Sequence, residues 1–202
     1  MKKITIGVID YGMGNHASVV NCLRNIGFRV NVSSKIAELK LADLLILPGV
    51  GAFPFAMTTL SNLGLVDYLQ KYAVQGRPLI GICLGMQLLA SASYEHSYTT
   101  GLGLIPGKII SFCEQGVHIG WNTLQFTDGS RWGVCDRDAF YFNHSFYYQG
   151  LAKNQVAVTS HYLPFPSIIQ HGNIVGLQFH PEKSQVVGKT LIKTLIVGMV
   201  HA

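Results

Sequence analysis

A cysteine, a histidine and a glutamate stand where a nucleophilic displacement could be assembled. Gly81-Ile82-Cys83-Leu84-Gly85-Met86-Gln87 sets Cys83 between two glycines, directly after the apolar run Pro78-Leu79-Ile80-Gly81-Ile82. A buried strand passing into a helix through such a turn is a nucleophile elbow. The glycines admit the tight turn, the side chain is lifted out at the strand's C-terminal end, and the helix N-terminus favours negative charge on sulfur. For a cysteine taken at random, a buried core position is the better reading, because free cysteines are among the most buried residues. The flanking glycines shift the balance towards a nucleophile.

Phe179-His180-Pro181-Glu182-Lys183 follows another strand-like run and supplies a base with a carboxylate two residues on. A thiol nucleophile needs a base, and the base needs an orienting group on its other ring nitrogen. A surface His beside a Glu is commonplace, so this pair gains meaning only alongside the elbow. Together they make a candidate Cys83–His180–Glu182 triad. Pro48-Gly49-Val50-Gly51 closes a further apolar run on the same expected rim, where open α/β sheets bind ligands. It reads as half of an oxyanion hole, with Val50 or Gly51 donating beside the N–H of Leu84. A plain strand-ending turn would use the same residues.

These residues need strands that deliver them to one edge. Strand-like and helix-like runs alternate through the first half: Ile4 to Ile9, a helical stripe of Val19, Val20, Leu23 and Ile26 with Asn15 as N-cap, Phe28 to Val32, a short helix at Ile36 to Leu39, and Leu44 to Leu47. Helices near Pro54 to Leu60 and Val66 to Val74 precede the strand entering Cys83. This order predicts an α/β fold with a central, mostly parallel sheet and helices on both faces. Beyond Ile105 the runs shorten and become β-rich: Lys108 to Phe112, Trp121 to Phe126, Ala139 to Phe142, Gln155 to Ser160, Ser167 to Gln170 and Ile174 to Phe179. They predict a mixed or antiparallel C-terminal extension, closed by a helix over Ser184 to Met199. The 202 residues are expected to form a single domain, 1–202.

Hydrophobic residues make up 49% of the chain and charged residues 12%, which excludes a disordered or collagen-like protein. No apolar run reaches the ~20 residues of a membrane helix, so no membrane contact is expected, and the widely spaced cysteines point to reduced thiols in a cytoplasmic protein. Lys+Arg number 15 against 10 Asp+Glu. With no basic block, this excess does not suggest nucleic acid. The four cysteines form no CxxC pair and no zinc-finger spacing, so neither a metal nor an organic cofactor is expected.

The elbow GICLGMQ, the PGVG turn and the FHPEKSQ segment resemble class I glutamine amidotransferases along nearly the whole chain. Asp10-Tyr11-Gly12-Met13-Gly14-Asn15, Gly101-Leu102-Gly103, His118-Ile119-Gly120-Trp121-Asn122 and Tyr141-Phe142-Asn143-His144-Ser145-Phe146 are similar to the branch that serves as glutaminase subunit of imidazole glycerol phosphate synthase. The resemblance implies a flavodoxin-like fold and hydrolysis of L-glutamine, with ammonia passed to a (β/α)8-barrel cyclase in a heterodimer of histidine biosynthesis. It implies that Cys83 attacks the side-chain amide, His180 moves the proton and Glu182 orients His180. Gly49, Gln87, His144, Ser145 and Phe146 would hold glutamine. Asn15, Trp121, Tyr141 and Lys183 would meet the partner, although a Trp after a glycine in a β-run is by itself more often core packing.

Two segments depart from the family pattern, Gln115-Gly116-Val117 and Ala92-Ser93-Tyr94-Glu95-His96. They leave open a related subunit that feeds ammonia to an acetamidino-sugar amidotransferase of surface polysaccharides. A non-catalytic module on the same scaffold would have no use for Cys83, His180 and Glu182 together.

Overall fold

The structure is a computed structural model that describes residues 3–112, 116–127 and 132–201; Cys113 and Gln115 lie outside the described residues. An eight-stranded sheet runs in the order β2-β1-β3-β4-β14-β13-β12-β9. Its parallel half contains β2 (Arg29–Ser33), β1 (Thr5–Ile9), β3 (Leu44–Gly49), β4 (Leu79–Cys83) and β14 (Ile174–Leu177). Its antiparallel half adds β13 (Pro164–His171), β12 (Gln155–Ser160) and β9 (Gln125–Phe126). This is the flavodoxin-like α/β architecture, with the antiparallel strands as its extension.

The central strands read as unbroken apolar runs because helices cover both of their faces. The pleat sends alternate residues of β3 to opposite sides. Leu44 and Ile46 join one core with α1 (His16–Asn25) and α6 (Gln185–His201), through Leu23, Leu191 and Leu195. Leu45 and Leu47 join the other with α3 (Phe53–Asn62) and α4 (Leu65–Val74), through Leu60 and Leu69. The short α2 (Ile36–Leu39) matches its expected span.

The chain beyond Cys83 departs from expectation in three places. The run Trp121 to Phe126 is two strands: β8 (His118–Thr123) pairs with β10 (Ala139–His144) in a separate two-stranded ribbon, while β9 pairs with β12. Leu124 between them is buried, which breaks the run. Three unforeseen strands, β5 (Ala90–Ser93), β6 (Thr99–Thr100) and β11 (Phe146–Gly150), join β7 (Ile105–Ser111) in a four-stranded sheet of order β11-β7-β5-β6. Ala and Ser have little intrinsic strand preference; β5 extends because β7 offers a ladder beside it. The helix after Cys83, α5 (Leu84–Leu88), is only five residues long. Among the described residues, no helix is long and apolar enough to cross a membrane.

Candidate active site

Cys83 ends β4 with φ 54° and ψ −110°, a conformation that costs a non-glycine residue roughly 1–3 kcal/mol and is held only by a surrounding that leaves no alternative. That surrounding is visible at both flanking glycines. A Cβ on Gly85 would run into the Leu47 carbonyl of β3, and one on Gly81 would sit 2.5 Å from the Gly85 carbonyl oxygen. The elbow is thus wedged against the neighbouring strand, and its sulfur stands at the C-terminal edge of the sheet.

Parallel pairing brings the other candidates to the same edge. Gly49 is in register with Cys83 across β3–β4, and Leu177 with Ile82 across β4–β14, so the chain leaving β14 reaches His180 beside the elbow. The His180 N–H donates to the Tyr141 carbonyl over 2.9 Å. Ser184, whose role the sequence did not signal, locks the turn: its hydroxyl donates to the His180 carbonyl at 2.7 Å and accepts the Tyr141 N–H at 3.0 Å. His180 Nδ1 lies 2.8 Å from Glu182 Oε1, and both side chains are almost fully buried. Burial alone would depress the imidazole. Hydrogen bonding to the Cys83 sulfur and the Glu182 carboxylate outweighs it and raises His180 to about 10, so the ring is a charged partner for sulfur at neutral pH. The Cys83 thiol also reaches the Asn143 carbonyl at 3.7 Å.

A cavity of about 260 Å³ opens over the sulfur, bordered by Val50, Gly51, Leu84, Gln87, Ser145, Phe146, His180 and Lys183. Gly51, at φ 104°, occupies backbone space suited to glycine. Gly49 does not border the cavity; the space at its Cα is filled by the Tyr11 hydroxyl, Leu84 and the Gly85 nitrogen. Gln87 Nε2 donates to the Phe146 carbonyl at 3.1 Å. His144 borders the cavity with its ring, but both of its nitrogens are engaged by other protein groups, Nδ1 by the Phe146 carbonyl at 2.8 Å and Nε2 by His118 at 3.1 Å.

Glu95 and Asn143 are the cavity residues that sequence reasoning missed, and Glu95 is the charged one. Glu95 stands on the loop between β5 and β6, one of the segments that departs from the family pattern, and only the pairing of those strands brings it inward. Its carboxylate is the one buried acidic group among the residues lining the cavity.

Beside His180 lies an aromatic and basic face. Trp121, expected at the partner face, is half exposed; its ring meets Tyr141 edge-on at 5.9 Å, and Lys183 Nζ lies 5.5 Å over the Tyr141 ring. Asn15 is exposed and caps α1, its side chain accepting the Ser18 N–H at 3.2 Å.

The profile of the family "Glutamine amidotransferase class-I" matches residues 7–197. The imidazole glycerol phosphate synthase subunit HisH of Listeria monocytogenes (serotype 4a) is 42% identical over 193 residues, 93% of each chain. The subunit of the same name from Bacillus licheniformis is 43% identical over 198 residues, again 93% of each chain. Among solved structures, PurLQS from Thermotoga maritima superposes with a TM-score of 0.77 at 19% identity, covering 98% of this chain and 99% of that one, a likeness of fold. With the profile spanning the elbow, the Pro48–Gly51 turn and the His180 segment alike, this chain belongs to the class-I glutamine amidotransferase family.

Proposed function

We propose that this chain is the glutaminase subunit of an imidazole glycerol phosphate synthase, hydrolysing L-glutamine at Cys83 and delivering ammonia to a (β/α)8-barrel cyclase. The observation that carries the chemistry is the common rim of Cys83 and His180, with one cavity opening over both. The Cys83 sulfur attacks the side-chain amide carbon of glutamine, and the oxyanion so formed is met by the N–H of Leu84 and that of Val50 or Gly51. As the C–N bond breaks, charged His180 gives its proton to the departing nitrogen, and Glu182 holds the ring in place. Water then attacks the thioester, His180 takes its proton, and glutamate leaves with the thiol restored.

Glu95 gives the cavity a negative wall suited to the α-ammonium group of glutamine. Gln87 and the Ser145–Phe146 backbone border the same cavity and suit the amino-acid end of glutamine. The face of Trp121, Tyr141, Lys183 and Asn15 beside His180 is where the cyclase docks, so ammonia leaves the site under cover. The identity of the relatives named above favours the histidine-pathway cyclase over a sugar amidotransferase as acceptor enzyme.

Cys83→Ala in the assembled complex tests the reading. Glutamine-dependent synthesis is expected to vanish while ammonia-dependent synthesis persists. Equal loss of both overturns the role of Cys83. Complementation of a histidine auxotroph lacking this subunit, with the chain's own cyclase supplied, tests the pathway; failure of well-expressed protein overturns it.

A further inference from the structure

Two buried imidazoles, His144 in the pocket wall and His118 behind it, take no part in the chemistry above. His144 on β10 faces His118 on β8, its direct partner in the two-stranded ribbon. A series of polar groups runs through them. His144 Nδ1 lies 2.8 Å from the Phe146 carbonyl oxygen and His144 Nε2 lies 3.1 Å from His118 Nδ1. His118 Nε2 lies 3.4 Å from Asn122 Nδ2, which is 2.9 Å from the Ser160 carbonyl oxygen.

Both ends of this series are backbone carbonyls, which only accept, and that assigns every proton between them. Facing the Phe146 carbonyl, His144 Nδ1 must carry hydrogen, so Nε2 of the neutral ring is an acceptor and needs a donor on His118 Nδ1. From the other end, Asn122 Oδ1 accepts the Thr123 N–H at 2.8 Å, which fixes the amide with its nitrogen towards Ser160 and His118. His118 Nε2 is then the acceptor, and its Nδ1 again carries the hydrogen. Reasoning from opposite ends meets on the same pair of tautomers.

The cavity end of the series constrains the pocket. The Phe146 carbonyl that holds His144 also accepts from Gln87 Nε2, so the Gln87 amide must turn its NH2 group to the wall. With the other His144 tautomer, a ring lone pair would face the Phe146 oxygen at hydrogen-bond distance, and wall and amide would both move. A protonated His144 would set N–H against N–H of His118. Burial, with His118, His161 and His180 close by, depresses His144 to about 3; burial and His161 depress His118 to about 4. Both rings are neutral at neutral pH.

Resting on the glutamine reading of this cavity, we infer that His118 and Asn122 are positioning residues for glutamine, locking the Nδ1–H tautomer of His144 and through it the Phe146 carbonyl and the Gln87 amide. They touch no substrate. His118 lies between the rings of Phe142 at 4.6 Å and His161 at 4.1 Å, so His118→Phe keeps the stacking and removes only the relay, whereas His118→Asn keeps a donor near the Nδ1 position.

The test begins with the unaltered full chain carrying 15N-histidine. Long-range 1H–15N spectra at pH 7 are expected to show both rings neutral and protonated at Nδ1; an Nε2–H or charged ring at either position overturns the assignment. In the assembled complex, His118→Phe is expected to raise the glutamine KM about tenfold with little change in kcat, and His118→Asn to restore most of it. A fall in kcat at unchanged KM, the mark of a purely structural role, overturns the positioning role and leaves the glutamine reading intact. Should His118→Phe not fold, Asn122→Ala, at the partly exposed end of the series, carries the same test; an unchanged KM there overturns the role. A parent complex that turns over no glutamine overturns the functional reading and the role together.

Discussion

Glu95 Oε2 accepts the backbone N–H of Phe53 over 2.8 Å, joining the start of α3 to the acidic wall of the cavity. One carboxylate therefore serves as both a helix-terminus partner and a pocket charge, and two substitutions separate the roles. Glu95→Gln keeps an acceptor for Phe53 and loses the charge. It is expected to raise the glutamine KM by tenfold or more while the urea midpoint stays nearly unchanged. Glu95→Ala loses both and is expected to destabilise the fold by about 1–3 kcal/mol as well. Steady-state kinetics and equilibrium denaturation on the same preparations distinguish them.

Gly85→Ala addresses the elbow. Its methyl group would have to displace the Leu47 carbonyl of the central strand β3, which cannot yield without disturbing the sheet. A loss of about 3 kcal/mol in unfolding free energy is expected, together with loss of glutaminase activity, because the strained Cys83 conformation depends on that wedge. A stable, active Gly85→Ala chain would contradict this account of how the sulfur is presented.

Stability should decline towards both extremes of pH, for different residues. His180 is raised in the fold above its ordinary value of 6.5, so its contribution is complete below about 6.5 and is lost as pH climbs through about 10. His118 and His144 are depressed, so the unfolded chain takes up their protons first, and stability falls as pH drops from about 6.5 towards about 4 and about 3. Urea midpoints across this range check both limbs. Glu182→Gln is expected to flatten the alkaline limb and His118→Phe the acid one.

Trp121→Ala tests the partner face. A half-exposed indole against Tyr141, beside the His180 segment, suits a binding hot spot far better than a fold-stabilising role. Calorimetric titration with the cyclase is expected to show affinity weakened by about 2 kcal/mol, with the thermal midpoint of the free chain little changed. A large drop in that midpoint with unaltered affinity would return Trp121 to the core.

How much could be read from the residues alone differs between the two halves of the chain. Parallel strands covered on both faces carry near-continuous apolar runs, and the turns at Cys83 and Pro48 carry glycines that no side chain could replace. Local chemistry and local structure therefore coincide there, and the rim bearing Cys83, Val50, Gly51 and His180 was legible. The part after the Cys83 elbow is built largely from short strands whose residues, such as Ala90-Ser91-Ala92-Ser93, extend only because a distant partner offers a ladder. Glu95 and the His118–His144 pair were out of reach for that reason. Their meaning lies in what pairing across long stretches of chain sets beside them, and a carboxylate or an imidazole has no role until burial and a neighbour assign its charge and its proton.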